Sequence, residues 1–136
     1  MNSIEYFTLY FACGRAGLIA QPMNWRLSPP ELKNIVDNGE PRVFITQGQY
    51  VEAAAEVSKM VDCVEHWLQY GNGGDGSYER LVEAASDEEP PNSSCIGDED
   101  PLLILYTGGT TGESKGALHS HKSVGVMMLG QTVAER

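Results

Sequence analysis

Glycine, threonine and lysine are concentrated in one short run, YTGGTTGESKG, at residues 106–116. Glycines allow positive φ and close approach of the backbone to a ligand, so that successive N–H groups can converge on phosphate oxygens. The threonine hydroxyls are further donors, and the lysine adds a positive charge. The run therefore predicts a loop that binds nucleotide phosphates, with contacts from Thr107, Gly108, Gly109, Thr110, Thr111, Gly112 and Lys115.

A Walker A loop, G-x-x-x-x-G-K-[ST], is the main alternative for such a run. Ser114 stands where that loop needs glycine before its lysine, and Gly116 stands where it needs the magnesium-binding Ser or Thr. Residues 117–121 predict a short strand, whereas a Walker loop opens a helix. A ligand-free hairpin is the other alternative, but a turn needs only one or two glycines.

Helices and strands alternate along the rest of the chain. Hydrophobic periodicity predicts helices over residues 3–16, 29–37, 49–60 and 77–85, and strands over residues 18–22, 42–46, 63–68 and 102–106. Asn38-Gly39 is expected to stop the second helix. The last strand is continuously apolar, as in a parallel sheet buried on both faces, and runs directly into the glycine-rich loop. The alternation predicts an α/β fold with a mainly parallel sheet flanked by helices.

Length limits the chain to one domain or less. Its 136 residues with 41% hydrophobic content permit one core of ordinary proportions. Residues 86–100 are acidic, contain adjacent prolines and lack apolar periodicity, which predicts a solvated connector. It joins an α/β segment, residues 1–85, to residues 101–136, which are predicted to hold a strand, the phosphate loop, a second strand and the start of a helix.

Composition excludes several classes of function. The formal net charge is -10 with only nine Lys and Arg, which disfavours binding to nucleic acid. No apolar run reaches the length of about 18 residues that a transmembrane helix needs. The three cysteines lack C-x-x-C spacing and indicate free thiols in a reducing compartment, so the sequence predicts a cytoplasmic protein. His119 and His121 lack a third ligand nearby, and no metal site is predicted.

The run at 106–116 resembles the signature of the adenylate-forming superfamily of acyl-CoA synthetases, nonribosomal peptide synthetase adenylation domains and firefly-type luciferases. That signature is [YF]-T-S-G-[ST]-T-G-x-P-K-G, and this sequence departs from it only at Gly108 and Ser114. Residues 16–32 are similar to the family's A-G...P-x-N-x-R-L-x-x-x-E-L segment, and His121 falls where the family often has histidine. The tryptophan in N-W-R-L, residues 24–27, favours the acyl-CoA ligase branch.

The resemblance implies that the chain is an incomplete part of the large N-terminal domain of such an enzyme. In the implied reaction a small-molecule carboxylate, a fatty or other acyl acid, attacks Mg²⁺-ATP to give an acyl-adenylate and pyrophosphate, and CoA then displaces AMP. The loop would hold the β- and γ-phosphates. The adenine contacts, the magnesium-binding glutamate, the acyl pocket and the catalytic lysine are expected beyond residue 136, so no catalytic set is complete and the chain alone is expected to be inactive.

Three functions remain open at the level of the sequence. The ATP-binding portion of an AMP-forming acyl-CoA ligase is favoured by the loop and the N-W-R-L segment together. A nonenzymatic ATP-binding remnant and an adenylation domain from another branch of the family are the alternatives. A Walker-type NTPase is disfavoured by Ser114 and Gly116. The sequence indicates neither the acyl substrate nor an oligomeric state.

Overall fold

A computed structural model describes residues 3–71, 74–107 and 114–134 of the chain. Its helices are α1 (Ile4–Ala16), α2 (Pro29–Gly39), α3 (Val51–Val57), α4 (Ser77–Ala84) and α5 (His121–Ala134). Its strands are β1 (Val43–Gln47), β2 (His66–Tyr70), β3 (Pro101–Thr107) and β4 (Lys115–Ser120). Met23–Asp87 forms one compact unit, and Met1–Pro22 with Glu88–Arg136 forms another. The mixture of helices and strands is the α/β class that the alternation predicts.

Helix α2 begins where the sequence predicts and ends later. The Glu31 carboxylate accepts hydrogen bonds from the backbone N–H of Ser28 at 2.8 Å and from its hydroxyl at 2.6 Å, which satisfies a donor at the helix start. Asn38-Gly39 does not stop the helix. Instead Glu40 adopts the left-handed conformation, with φ 44°, and donates its N–H to the Val36 carbonyl at 2.8 Å.

The unit Met23–Asp87 is built on a parallel pair of strands. β1 and β2 pair in parallel, with α3 on the connection between them. Phe44 and Trp67 lie directly opposite each other, and their rings stack at 4.7 Å between centroids. The core of this unit combines residues of α2 and α3 with the turn that follows α3: Leu32, Val36, Val57 and Val61. Val36 and Val57 are 0% exposed, so the core sits between the helices and the sheet.

An ion pair joins the residues that immediately precede β1 and β2. Arg42 immediately precedes β1, Glu65 immediately precedes β2, and the guanidinium donates two hydrogen bonds to the carboxylate at 2.8 and 2.6 Å. The Arg42 carbonyl also accepts the N–H groups of Glu65 and His66. Hydrogen bonding to Arg42 lowers the pKa of the Glu65 carboxyl, because it stabilises the ionised form.

The other unit is built on an antiparallel hairpin. β3 pairs antiparallel with β4 because residues 108–114 are too few for the crossover that a parallel pair requires. On the other edge of β3, Ala20 bridges Leu103 in parallel: the Ala20 N–H donates to Leu102 at 2.8 Å, and Ile104 donates to the Ala20 carbonyl at 3.0 Å.

The strand predicted over residues 18–22 is reduced to this single bridge in the described part of the chain. Gly17 adopts φ 68° at the end of α1, and the N–H of Leu18 is bonded back to the Cys13 carbonyl at 2.9 Å. Pro22 has no N–H to donate. Leu18 and Pro22 are therefore unsuited to a ladder, and the isolated bridge described in this segment joins Ala20 to Leu103 of β3.

Helices α1 and α5 carry apolar side chains that remain exposed. In α1, Phe7 is 58% and Phe11 54% exposed, and their rings contact each other edge-to-face at 5.1 Å. In α5, Val126 is 63% and Leu129 69% exposed. None of the helices in the described residues combines the length and the hydropathy that a bilayer-spanning helix needs.

Truncation of the core should be costly and truncation of the surface should not. Val36→Ala removes a fully buried side chain from α2 and should lower the free energy of unfolding by about 2 kcal/mol. Val82→Ala in α4 is the matched control, because Val82 is also helical but 55% exposed, and it should change stability by less than about 0.5 kcal/mol. Urea denaturation followed by circular dichroism measures both. Equal losses in the two variants would contradict the position of the core.

The Arg42–Glu65 pair should give an acid-dependent contribution to stability. The folded pKa of Glu65 lies below its ordinary value of 4.5, so the contribution is present above that pH and is lost as the pH falls through the folded pKa. Glu65→Gln should therefore be less stable than wild type at pH 7, and the difference should narrow below about pH 4.5. In an Arg42→Gln background the difference should vanish. Thermal unfolding at about pH 3 to 7, in steps of roughly one pH unit, measures the difference in stability between wild type and Glu65→Gln. A difference that does not change with pH would contradict a stabilising Arg42–Glu65 ion pair.

Candidate phosphate-binding site

The predicted phosphate-binding residues fall at the tip of the β3–β4 hairpin. Thr107 is the last residue of β3, Lys115 is the first residue of β4, and the two are paired directly across the hairpin. The other predicted contacts lie between them and outside the described residues: Gly108, Gly109, Thr110, Thr111 and Gly112. The structure therefore establishes the two ends from which the loop is held.

Thr107 and Lys115 lie on the same face of the hairpin. Opposed residues of an antiparallel pair have Cβ atoms about 4.5–5.5 Å apart and point to one side of the sheet. Lys115 is exposed, and within the described residues no carboxylate forms an ion pair with it. A hydroxyl and an exposed ammonium at the two ends of a glycine-rich segment suit the oxygens of a polyanion.

Tyr106 lies on the face of the hairpin opposite Thr107 and Lys115, and its phenol is not ionised at neutral pH. It pairs across the hairpin with Gly116 and is partly buried. Desolvation raises the pKa of its phenol above the ordinary value of 10.0, so the hydroxyl is neutral at pH 7. Its position therefore favours a packing role on the face of the hairpin opposite Thr107 and Lys115.

His119 and His121 do not alternate along one strand, contrary to the prediction of a strand over residues 117–121. β4 ends at Ser120, and His121 is the first residue of α5. The His121 imidazole packs towards α1, since a Cβ added to Gly14 would lie 3.5 Å from its Cε1, and its Nε2 is buried with no hydrogen-bond partner among the described residues. In the described part of the chain no three His, Cys, Asp or Glu side chains form a group that could hold a metal ion.

The acidic connector satisfies the first amides of α5, a role that sequence reasoning did not assign to it. His121 donates its N–H to the Asp100 carbonyl at 3.0 Å, and Lys122 donates to the Asp98 carbonyl at 2.9 Å. The Lys122 ammonium pairs with Glu99 at 2.8 Å. These donors are used within the chain, so the start of α5 is not a phosphate site. The run of acids before β3 signals a solvated segment but does not reveal which carbonyls face the helix.

Ser120 explains why β4 gives way to a helix at this point. Its Oγ accepts the N–H of Ser123 at 3.3 Å, and the Ser123 hydroxyl donates to the Ser120 carbonyl at 3.0 Å. Serine in this position is a favoured helix cap. The S-x-x-S spacing at 120–123 is the signal by which sequence reasoning could have placed the start of α5 correctly.

The described hairpin presents a threonine and a lysine at the two ends of a glycine-rich segment, and donors of these types suit phosphate oxygens. Comparison with protein families makes this more specific, because the model of AMP-binding enzymes matches residues 1–136. The chain belongs to the family of AMP-binding enzymes.

Characterised relatives of the chain are CoA ligases. It is 36% identical over 126 residues to the long-chain-fatty-acid–CoA ligase FadD13 of Mycobacterium tuberculosis, covering 90% of this chain and 24% of the relative. It is 35% identical over 128 residues to an indoleacetate–CoA ligase of Aromatoleum aromaticum, covering 88% of this chain and 23% of the relative. The chain thus spans about a quarter of the length of the curated relatives it matches.

Solved structures of the family share the fold. The inhibitor-bound N-terminal domain of FACL13 from Mycobacterium tuberculosis aligns with a TM-score of 0.79 at 31% identity, covering 91% of this chain and 30% of that domain. ATP-bound MatB from Rhodopseudomonas palustris aligns with a TM-score of 0.76 at 31% identity, covering 94% of this chain and 25% of that one. The described elements therefore have the fold of part of the N-terminal domain of adenylate-forming acyl-CoA ligases.

The Ser120 cap should be measurable at the start of α5. Ser120→Ala removes the acceptor for the Ser123 N–H and should cost about 1 kcal/mol of stability. Ser120→Asp, which keeps an acceptor oxygen, should retain most of it. Thermal unfolding and amide hydrogen exchange at residues 121–124 measure the effect. Equal exchange rates in the alanine and aspartate variants would show that Ser120 does not cap the helix.

Proposed function

We propose that the chain is the ATP phosphate-binding part of the N-terminal domain of an AMP-forming acyl-CoA ligase. Such an enzyme joins a carboxylate to the α-phosphate of ATP with release of pyrophosphate, and then transfers the acyl group from AMP to the thiol of CoA. All 136 residues would belong to that single domain. The names of its relatives give fatty, indoleacetic and acetic acids as their substrates. We therefore propose only that the substrate is an acyl carboxylate.

The observation that carries the proposal is the pairing of Thr107 with Lys115 across the base of the glycine-rich loop. The Lys115 ammonium would attract the β- and γ-phosphates and donate hydrogen bonds to their oxygens, and Thr107 would add a hydroxyl donor. Backbone N–H groups would be supplied by the loop residues between them: Gly108, Gly109, Thr110, Thr111 and Gly112.

The chemical need for these donors is set by charge. A carboxylate must approach a triphosphate that repels it, and the leaving pyrophosphate carries more negative charge as the bond to the α-phosphate breaks. Fixed N–H dipoles and an ammonium directed at the departing oxygens lower this barrier and keep the β-phosphate in line for departure. Mg²⁺ bound with ATP supplies further charge neutralisation, and we assign none of the described residues to it.

The free thiols support a cytoplasmic location for the protein. Cys13, Cys63 and Cys95 are all free, which suits a reducing compartment, and burial raises the pKa of the Cys13 thiol so that it is less reactive. We therefore place the protein in the cytoplasm. CoA and the acyl acid would be bound by parts of the enzyme other than the described hairpin.

Binding of ATP should depend on Lys115. Isothermal titration of the purified chain with ATP is expected to show Lys115→Ala weakening the affinity by about 1.5–3 kcal/mol, roughly 10- to 150-fold, as for loss of a charged hydrogen bond. Lys33→Ala is the control, since Lys33 is an α2 lysine paired with Asp37 on the surface, and it should leave the affinity unchanged. Equal affinity in the wild type and Lys115→Ala chains would rule out the proposed contact.

The ligase reaction can be tested in a chimera. This chain would replace the aligned quarter of the FadD13 relative, to which it is 36% identical. Formation of AMP and acyl-CoA from a long-chain fatty acid, lost with Lys115→Ala, would support the ligase. A chimera that binds ATP with the dependence on Lys115 but forms no acyl-adenylate would favour the nonenzymatic remnant.

A further inference from the structure

Gly116 leaves no room for a side chain on the face of the hairpin opposite Lys115. A Cβ added to Gly116 would lie 2.8 Å from Ile104 Cδ1 and 3.0 Å from both Ile104 Cγ1 and Tyr106 Cζ. Carbon atoms in contact are normally about 3.5–4.0 Å apart. Gly116 is not one of the described glycines with positive φ, so the requirement for glycine here comes from packing and not from backbone conformation.

An added side chain at position 116 would require the Ile104 and Tyr106 side chains, or β4 itself, to move. β3 is bonded on both edges, to β4 on one side and to Ala20 on the other, through the hydrogen bonds at Leu102 and Ile104. Among the described residues β4 pairs with β3 alone. Within the described residues β3 is therefore held by hydrogen-bonded neighbours on two edges and β4 on one.

If β4 moves, we expect the end next to the loop to move, because the end next to α5 is held. Its other end continues into α5, whose first amides are bonded to the carbonyls of Asp98 and Asp100 just before β3. That end of the hairpin is therefore closed by hydrogen bonds on both sides. The end that starts at Lys115 leads into the loop, and Lys115 is the residue next to Gly116.

We infer that Gly116, covered by Ile104 and Tyr106, is a positioning residue that sets where Lys115 stands opposite Thr107. Absence of a side chain lets β4 lie close against β3, which keeps the Lys115 ammonium at the mouth of the loop. Its effect on nucleotide rests on the proposed function, because it acts through the contact of Lys115 with phosphate. Its effect on the hairpin stands without any nucleotide.

The experiment compares Gly116→Ala with a variant that relieves the contact. Ile104→Ala/Gly116→Ala removes the two nearest Ile104 atoms, and Gly125→Ala is the matched control, since a Cβ there meets nothing within 4 Å. ATP affinity is measured by titration, and cross-strand NOEs between residues 107 and 115 are measured by NMR. Gly116→Ala should weaken ATP binding about tenfold, towards the value for Lys115→Ala, and lose the NOEs. The double variant should regain part of both, because Tyr106 Cζ still lies 3.0 Å from the added Cβ, and Gly125→Ala should change neither.

A double-mutant cycle of Gly116→Ala with Lys115→Ala distinguishes an effect on the position of Lys115 from a general loss of stability. In the Gly116→Ala background, Lys115→Ala should weaken ATP binding further by much less than it does in wild type, because the ammonium is already out of place. A merely structural defect would lower the fraction of chain that binds ATP and leave the affinity and the Lys115 effect unchanged, which would overturn the assignment. If Gly116→Ala does not fold, the double variant decides: weak binding and absent NOEs in a folded double variant contradict the inference.

Failure of the proposed function gives a different result. A wild-type chain that binds no ATP but shows the 107–115 NOEs, lost in Gly116→Ala and regained in the double variant, retains the hairpin assignment and removes the nucleotide from it. NOEs unchanged in Gly116→Ala overturn the assignment whatever the affinity for ATP.

Discussion

The pairing of β3 with β4 is the interaction on which the candidate site depends. It places Thr107 opposite Lys115, and it fixes the two points between which the glycine-rich loop must run. The same ladder puts Ile104 and Tyr106 over Gly116 on the other face. One face of the hairpin thus carries the polar groups, and the other carries the packing that keeps the two strands close.

The rest of this unit holds the hairpin at points away from Thr107 and Lys115. Ala20 occupies the second edge of β3, and the carbonyls of Asp98 and Asp100 receive the first amides of α5. Both attachments lie away from the loop. The two strands that lead into and out of residues 108–113 are thus held by hydrogen bonds at other points.

The sequence predicts those parts of the structure that depend on local chemistry. The capping contact at Ser28 and Glu31, the apolar β3 and the lysine after the loop follow from residue types and short spacings. The parts that it does not predict depend on distant partners: the reduction of 18–22 to a bridge at Ala20, and the role of Asp98 and Asp100 at α5. The sequence predicts a strand through His121, whereas the cap at Ser120 ends the strand one residue earlier. The loop contacts from Gly108 to Gly112 lie outside the described residues and stay predictions.

The short strand between the loop and α5 has an electrostatic consequence. In loops that open directly into a helix, the phosphate sits on the partial positive charge of the helix start. Here the six residues of β4 intervene, a distance of about 20 Å along the strand, and the influence of a helix terminus fades within about one turn. Under the proposed function, the described groups that would attract an anion at this hairpin are the Thr107 hydroxyl and the exposed Lys115 ammonium. Dissolved ions screen an exposed charge, so under the proposed function the contribution of Lys115 to the affinity should fall as ionic strength rises.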